Sequence, residues 1–156
     1  MHHVFYRGEK TCEVLFIGEA PGNSEDVLGL PFIGPAGKLL DSILKDAVHP
    51  KRFIWGVTNI VCCAPWDNET DKFSRKTRPP SKEEAKACKP RLQELIELVQ
   101  PKAVVLVGAS ASKYLAWCKL PRLSIIHPAA MLRKTDYSID RLKAIALIRA
   151  FVKDAL

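Results

Sequence analysis

Strand-like and helix-like stretches alternate four times along this chain, and nothing else in it restricts the fold so strongly. Residues 13–18 read as a strand buried on both faces. Residues 36–48 read as a helix with Leu39, Leu40, Ile43 and Leu44 on one side, because apolar positions three and four apart share a helix face. Residues 53–61 are β-rich, and residues 62–80 are long, polar and proline-bearing, so they read as a loop. Ser81 then reads as an N-cap, with Glu84 completing a capping box. Leu92, Leu95, Ile96 and Val99 continue the apolar face of that helix, and Pro101 follows its end. Residues 103–107 form an apolar strand closed by Gly108, residues 109–118 a short helix, and residues 123–126 a strand ending at His127-Pro128. Ile139, Leu142, Ile145, Ile148 and Val152 mark a last helix. Such alternation predicts an α/β fold: a mostly parallel four-stranded sheet with helices on both faces. The length, 156 residues, predicts a single domain over residues 1–156.

Sheets of this kind bind ligands at the carboxyl ends of their strands. Four segments belong there: 18–26, 59–65, 108–112 and 127–133. The first reads GEAPGNSED, a glycine turn with acids close behind. Phosphate is a poor tenant for it, since carboxylates repel phosphate and the spacing fits neither GxGxxG nor GxxxxGK[ST]. The HxE and PCxxC pattern of zinc deaminases is absent, as is a GxSxG nucleophile elbow. What remains at these ends is an aromatic (Phe32), an amide (Asn59), a histidine (His127) and the acids Glu19, Glu25 and Asp26. That set suits a nucleobase turned out of its stack. An aromatic face supports the ring, and an Asn amide donates to uracil O4 while accepting from N3–H, a pattern that cytosine does not offer. Cleaving an N-glycosidic bond builds positive charge on the sugar and negative charge on the base. A carboxylate near the one and a hydrogen-bond donor at O2 of the other stabilise both. Glu19, Glu25 or Asp26 suits the first role and His127 the second.

Charge agrees with a polyanionic partner. The formal net charge is +7, and residues 72–91 hold eight basic residues against two acidic ones. Arg75, Lys76 and Arg78 in the proline-rich loop are the first candidates to touch a nucleic-acid backbone. Residues 1–3 open onto mixed sequence rather than an apolar signal segment, and no run is long enough to span a membrane. The expectation is therefore a cytoplasmic protein with no membrane partner. Five cysteines (Cys12, Cys62, Cys63, Cys88 and Cys118) without a CxxC argue against a disulfide framework or a zinc site of that type.

Three blocks carry a resemblance. GEAPGNSEDVLGLPFIGPAGKLLD, VTNIVCCAP and HPAAML resemble, in order, the signature blocks of the family 4 uracil-DNA glycosylases, over roughly residues 5–133. The resemblance implies a three-layer α/β sandwich that excises uracil from DNA by base flipping, as a monomer. It implies that Glu19, Ala20, Pro21 and Gly22 form one pocket wall, and that Glu25 orients water or supports the sugar cation. Phe32 would stack on the base, Asn59 read its edge and His127 face O2. Ala129 to Arg133 would enter the minor groove, with Met131 or Leu132 filling the space the base leaves. That family holds a four-iron, four-sulfur cluster on four cysteines. Cys63 and Cys88 match the two later ligand positions and the earlier CxxC has no counterpart, so the expectation is no intact cluster and no cofactor. The residues WDNETDKFSRKTR after Cys63 and the short stretch from Gly108 to His127 also depart from the family pattern, as in a trimmed member. Two further readings stay open: a relative with a shifted base preference, and a DNA-binding module that keeps the fold without turnover.

Overall fold

A computed structural model describes residues 3–49, 52–67 and 76–156. The elements in chain order are β1 (Arg7–Gly8), β2 (Val14–Gly18), α1 (Asn23–Leu28), α2 (Pro35–Ala47), β3 (Trp55–Asn59), α3 (Lys82–Val99), β4 (Ala103–Val107), α4 (Ala109–Lys113), β5 (Arg122–Ile125), α5 (Pro128–Leu132) and α6 (Ser138–Ala155). The sheet order is β1-β3-β2-β4-β5. The four expected strands pair in parallel, and β1 adds an antiparallel edge on β3. That fifth strand is two residues long, too short to leave an alternating pattern in the sequence.

Every residue of β2 and β4 is buried, because helices cover both faces of the sheet. Side chains alternate between two cores. Val14 and Phe16 point into one with Leu40, Ile43 and Ile148, the α2 and α6 side. Leu15 and Ile17 point into the other with Leu92, Ala111 and Leu115, the α3 and α4 side. The result is a three-layer sandwich. Burying side chains of this size contributes on the order of 2 kcal/mol each before conformational entropy is subtracted.

Two expectations shift. The helix expected over 109–118 stops at Lys113. Trp117 Nε1 donates to the Tyr114 carbonyl (2.8 Å), and Cys118 N turns back to Leu115 O (3.0 Å), so the i→i+4 ladder does not continue. In α6 the buried stripe is Ala144, Ile145, Ile148 and Val152, whereas Ile139 and Leu142 are 68% and 63% exposed. A step of three residues turns a helix by about 300°, so Ile139 and Leu142 rotate off the face that Ile145, Ile148 and Val152 bury.

The register brings Gly18 beside Asn59, Ile17 beside Leu106, and Val107 beside Ile125. The loops after β2, β3, β4 and β5 therefore open on one edge. From β2 the chain crosses to β3 on one side and later to β4 on the other, so the strand order reverses at β2, where such sheets form a crevice.

Candidate active site

The crevice begins at Gly18. A Cβ there would lie 2.4 Å from Phe32 Cζ and 2.6 Å from Asn59 Oδ1, so only glycine lets these two side chains close over the strand end. The acids that follow do not repel one another into solvent. Glu25 folds back and collects backbone donors: Oε1 accepts from Gly22 N (3.0 Å), and Oε2 accepts from Ile33 N (3.0 Å) and Gly34 N (2.7 Å). One carboxylate thus ties the two glycine turns together.

Phe32 sits at the end of that tie. Its φ is +55°, the left-handed region that a β-carbon disfavours by about 1–3 kcal/mol. Its surroundings hold it there. Arg7 donates from Nε to Pro31 O (3.0 Å) and from Nη2 to Phe32 O (2.9 Å). Asp41 (2.9 Å) and the Trp55 ring (5.7 Å) secure the same guanidinium. From the other side α2 presents Gly37, where a Cβ would come within 1.8 Å of the Phe32 carbonyl oxygen.

Asn59 closes the second wall. It is 2% exposed, and its side chain lines the cavity beside Phe32 and His127. A nearly buried amide that faces a cavity suits the edge of a ligand able to hydrogen-bond with it. Arg91 fixes its backbone by donating to Thr58 Oγ1 (3.0 Å), Asn59 O (2.7 Å) and Ile60 O (3.1 Å).

His127 closes the third wall as the N-cap of α5. Its Nδ1 accepts from Ala129 N (3.0 Å), so that nitrogen carries no proton and the neutral ring holds its hydrogen on Nε2. Burial pushes its pKa below the ordinary 6.5; Arg133 adds to the fall and Glu19 opposes it. The ring lies 6.0 Å from that of Phe32, at 26°. Ala20, Glu25, Phe32, Gly37, Asn59 and His127 thus share one cavity of about 50 Å³, open to solvent. It is small and lined by both polar and apolar groups. Larger grooves lie elsewhere, and among the described residues those lined by Arg7 and Trp55, by Lys82 and Tyr114, and by Asp46 and Arg149 do not carry these convergent groups.

The remaining candidates divide. Glu19 bears on the cavity through its charge on His127. Pro21 is buried behind the wall, and Gly22 serves as a donor to Glu25. Met131 is corrected: it is 0% exposed and part of the core, because the short α5 turns it toward α2 and α6. Leu132 (39% exposed) and Arg133 reach solvent beside the cavity. Lys76 is exposed, Arg78 is exposed but paired with Glu84 (2.6 Å), and Arg75 lies outside the described residues. Arg91, counted with the basic stretch, points inward. Arg7, Gly37 and Arg91 escaped the sequence reading. Only Gly37, a glycine inside a helix, left a signal there.

The thiols form a separate group. Cys62 Sγ lies 3.9 Å from Cys88 Sγ, so the neighbour of Cys88 is Cys62 and not Cys63 alone. Burial, with Cys88 and Cys63 alongside, pushes the Cys62 thiol up to about 12. Cys12 and Cys118 are buried in the apolar core. Among the described residues no group of three or more Cys, His, Asp or Glu side chains is arranged to hold a metal ion.

A profile of the uracil DNA glycosylase superfamily matches residues 5–154. Among similar proteins are the type-4 uracil-DNA glycosylases of Sulfurisphaera tokodaii (38% identical over 108 residues, 69% of this chain and 45% of that one) and Saccharolobus solfataricus (37% over 108 residues, 69% and 46%). That of Thermotoga maritima is 34% identical over 107 residues, 69% of this chain and 50% of that one. The chain spans about half the length of these relatives. A solution NMR structure of a candidate uracil DNA glycosylase from Methanosarcina acetivorans superposes with a TM-score of 0.59 at 11% identity, over 97% of this chain and 98% of that one. At that identity it speaks for the fold alone. No helix among the described residues is long and apolar enough to cross a membrane.

Proposed function

The chain belongs to the uracil DNA glycosylase superfamily, and on that premise we propose that it hydrolyses the N-glycosidic bond of uracil in DNA. The base is turned out into the cavity and an abasic site remains. The protein acts as a monomer. The observation that carries this reading is the meeting of Phe32, Asn59 and His127 around one polar-edged space at the crevice.

Each group then has one task. Phe32 supports a face of the base. The Asn59 amide donates to O4 and accepts from N3–H, which selects uracil over cytosine. His127 donates from Nε2–H to O2, where negative charge grows as the bond breaks. A neutral donor serves better than a cation here, since it is fixed in place by Ala129 N and needs no proton from solvent. Glu19, close enough to His127 to act on its charge, supplies negative potential toward the sugar as it gains positive charge. Glu25 holds the loops and through them Phe32, so it is a positioning residue in this scheme.

Single-turnover release of free base from oligonucleotides bearing one uracil, in single- and double-stranded form, tests the proposal. Matched strands with cytosine, thymine, hypoxanthine or xanthine define selectivity. Abasic sites are expected from uracil strands alone. A chain that binds these strands and cuts none is a binding module, and one that prefers another base has a different pocket.

A further inference from the structure

Four ammonium groups face one groove on the α3 and α4 side of the sheet. Lys82, Lys86 and Lys89 follow one another at spacings of four and three along α3, which puts them on one face. Lys113 closes the opposite wall from the end of α4. With Ala85 and Tyr114 they line a cavity of about 360 Å³ that includes no carboxylate. Among the described residues none of the four is in an ion pair, and Lys89 lies 5.6 Å from the centroid of the Trp117 ring. Like charges around a concave wall repel one another and focus a positive potential into the opening. A ligand with negative charges spaced along a line relieves that repulsion.

The groove lies close to the base cavity. Gly108, the N-cap of α4, backs His127: a Cβ there would sit 3.3 Å from the His127 Cβ. Lys113 follows five residues later, roughly 7.5 Å along a helix. Lys113 thus stands on the order of 10 Å from His127, a span over which each strand of B-DNA carries roughly three phosphates. We propose that this groove holds the sugar–phosphate backbone of the DNA flanking the extruded nucleotide. It would be a second anchoring surface, apart from the base cavity and from the loop cations Lys76 and Arg78. The choice of ligand rests on the DNA reading above.

The test uses a duplex without uracil, so that binding is measured apart from excision. Equilibrium binding is titrated over a range of salt for the unaltered chain and two triple variants. K82Q/K86Q/K113Q removes three of the four charges from the groove. K45Q/K143Q/K153Q removes the same charge from α2 and α6, on the other face of the sheet. All six residues are exposed, so the folds are expected to survive, and melting curves check this. The groove variant should flatten the slope of log K against log salt by roughly 0.9 for each phosphate no longer neutralised, up to about 2.7 for three, with the control variant near the unaltered chain. Equal slopes for the two variants overturn the groove, because net charge alone then explains binding. A chain that shows the expected difference yet releases no uracil from any strand supports the groove and sinks only the catalytic reading.

Discussion

Replacing Glu25 by Gln separates two roles that the same residue could hold. Its carboxylate accepts three backbone N–H groups, from Gly22, Ile33 and Gly34 at 3.0, 3.0 and 2.7 Å. A Gln side chain has one oxygen to offer. Its best placement keeps that oxygen on Ile33 N and Gly34 N and sets its NH₂ against the Gly22 N–H, donor against donor. Hydrogen bonds to a charged group contribute about 1.5–3 kcal/mol and neutral ones about 0.5–1.5. Two bonds weaken and a third disappears, at a half-buried place where water softens the loss, so the net cost is about 2 kcal/mol. For a chain of this length that lowers Tm by roughly 4–8 °C. Phe32 lies next in the chain to Ile33, so the base platform loosens too, and excision falls by roughly 10–100-fold. Calorimetry and single-turnover base release read both effects. An unchanged Tm with a loss of several decades in kcat would refute the reasoning: the carboxylate would then act on the reacting atoms, and the three amide bonds would be incidental.

The other expectations follow from the same geometry. Asn59→Ala and His127→Ala each remove one polar group facing the base and should lower single-turnover excision by at least about 10²–10³-fold, while duplex binding measured by anisotropy stays near normal; near-normal turnover in either would cancel that residue's role. His127 has a depressed pKa, so the unfolded chain takes up its proton first as pH falls below 6.5. Its contribution to stability is complete above that pH and is lost as pH drops toward the folded value. The acid limb of kcat should accordingly lie below pH 6.5 and vanish from the residual activity of His127→Gln; a pH–rate profile with the limb above 6.5 contradicts the assignment. Met131→Ala should cost about 2–4 kcal/mol in denaturant unfolding, being fully buried. Leu132→Ala, 39% exposed, should leave stability unchanged and slow excision from duplex more than from single strands, and equal slowing on both would argue against a wedge.

The layered architecture could be read in advance because β2 and β4 are apolar throughout and α2 carries its apolar residues at helical spacing, signals that tertiary context only reinforces. What the sequence hid was set by packing between elements. The two-residue β1 has no period of its own. The end of α4 depends on an indole N–H reaching a carbonyl three residues back. Met131 and Leu132 are neighbours with similar side chains, and only the direction of a five-residue helix decides which one meets solvent. Ile139 and Leu142 continue a three-residue apolar spacing and still lie outside, since each step of three falls about 60° short of a full helical turn and rotates them off the Ile145, Ile148 and Val152 face.

Within the site the division follows a chemical line. Asn59 and His127 were legible because they project distinctive side chains from strand ends, and Phe32 because it is an aromatic set between two glycine turns. Arg7, Arg91 and the three-way bonding of Glu25 were not, because most of their partners are main-chain groups, which every residue possesses and no sequence pattern marks. Yet these are the bonds that place the visible residues. Arg7 holds the Phe32 carbonyl while φ stands at +55°, and Arg91 holds Asn59 O at the end of β3. A planar guanidinium is suited to such work, since it presents several donors in a fixed fork to carbonyls lying side by side. It follows that two cations of a basic chain are spent on its own backbone, facing inward. The charge that remains for DNA is carried by other residues, and the unpaired lysines of α3 and α4 are the densest share of it in the described residues outside the loop.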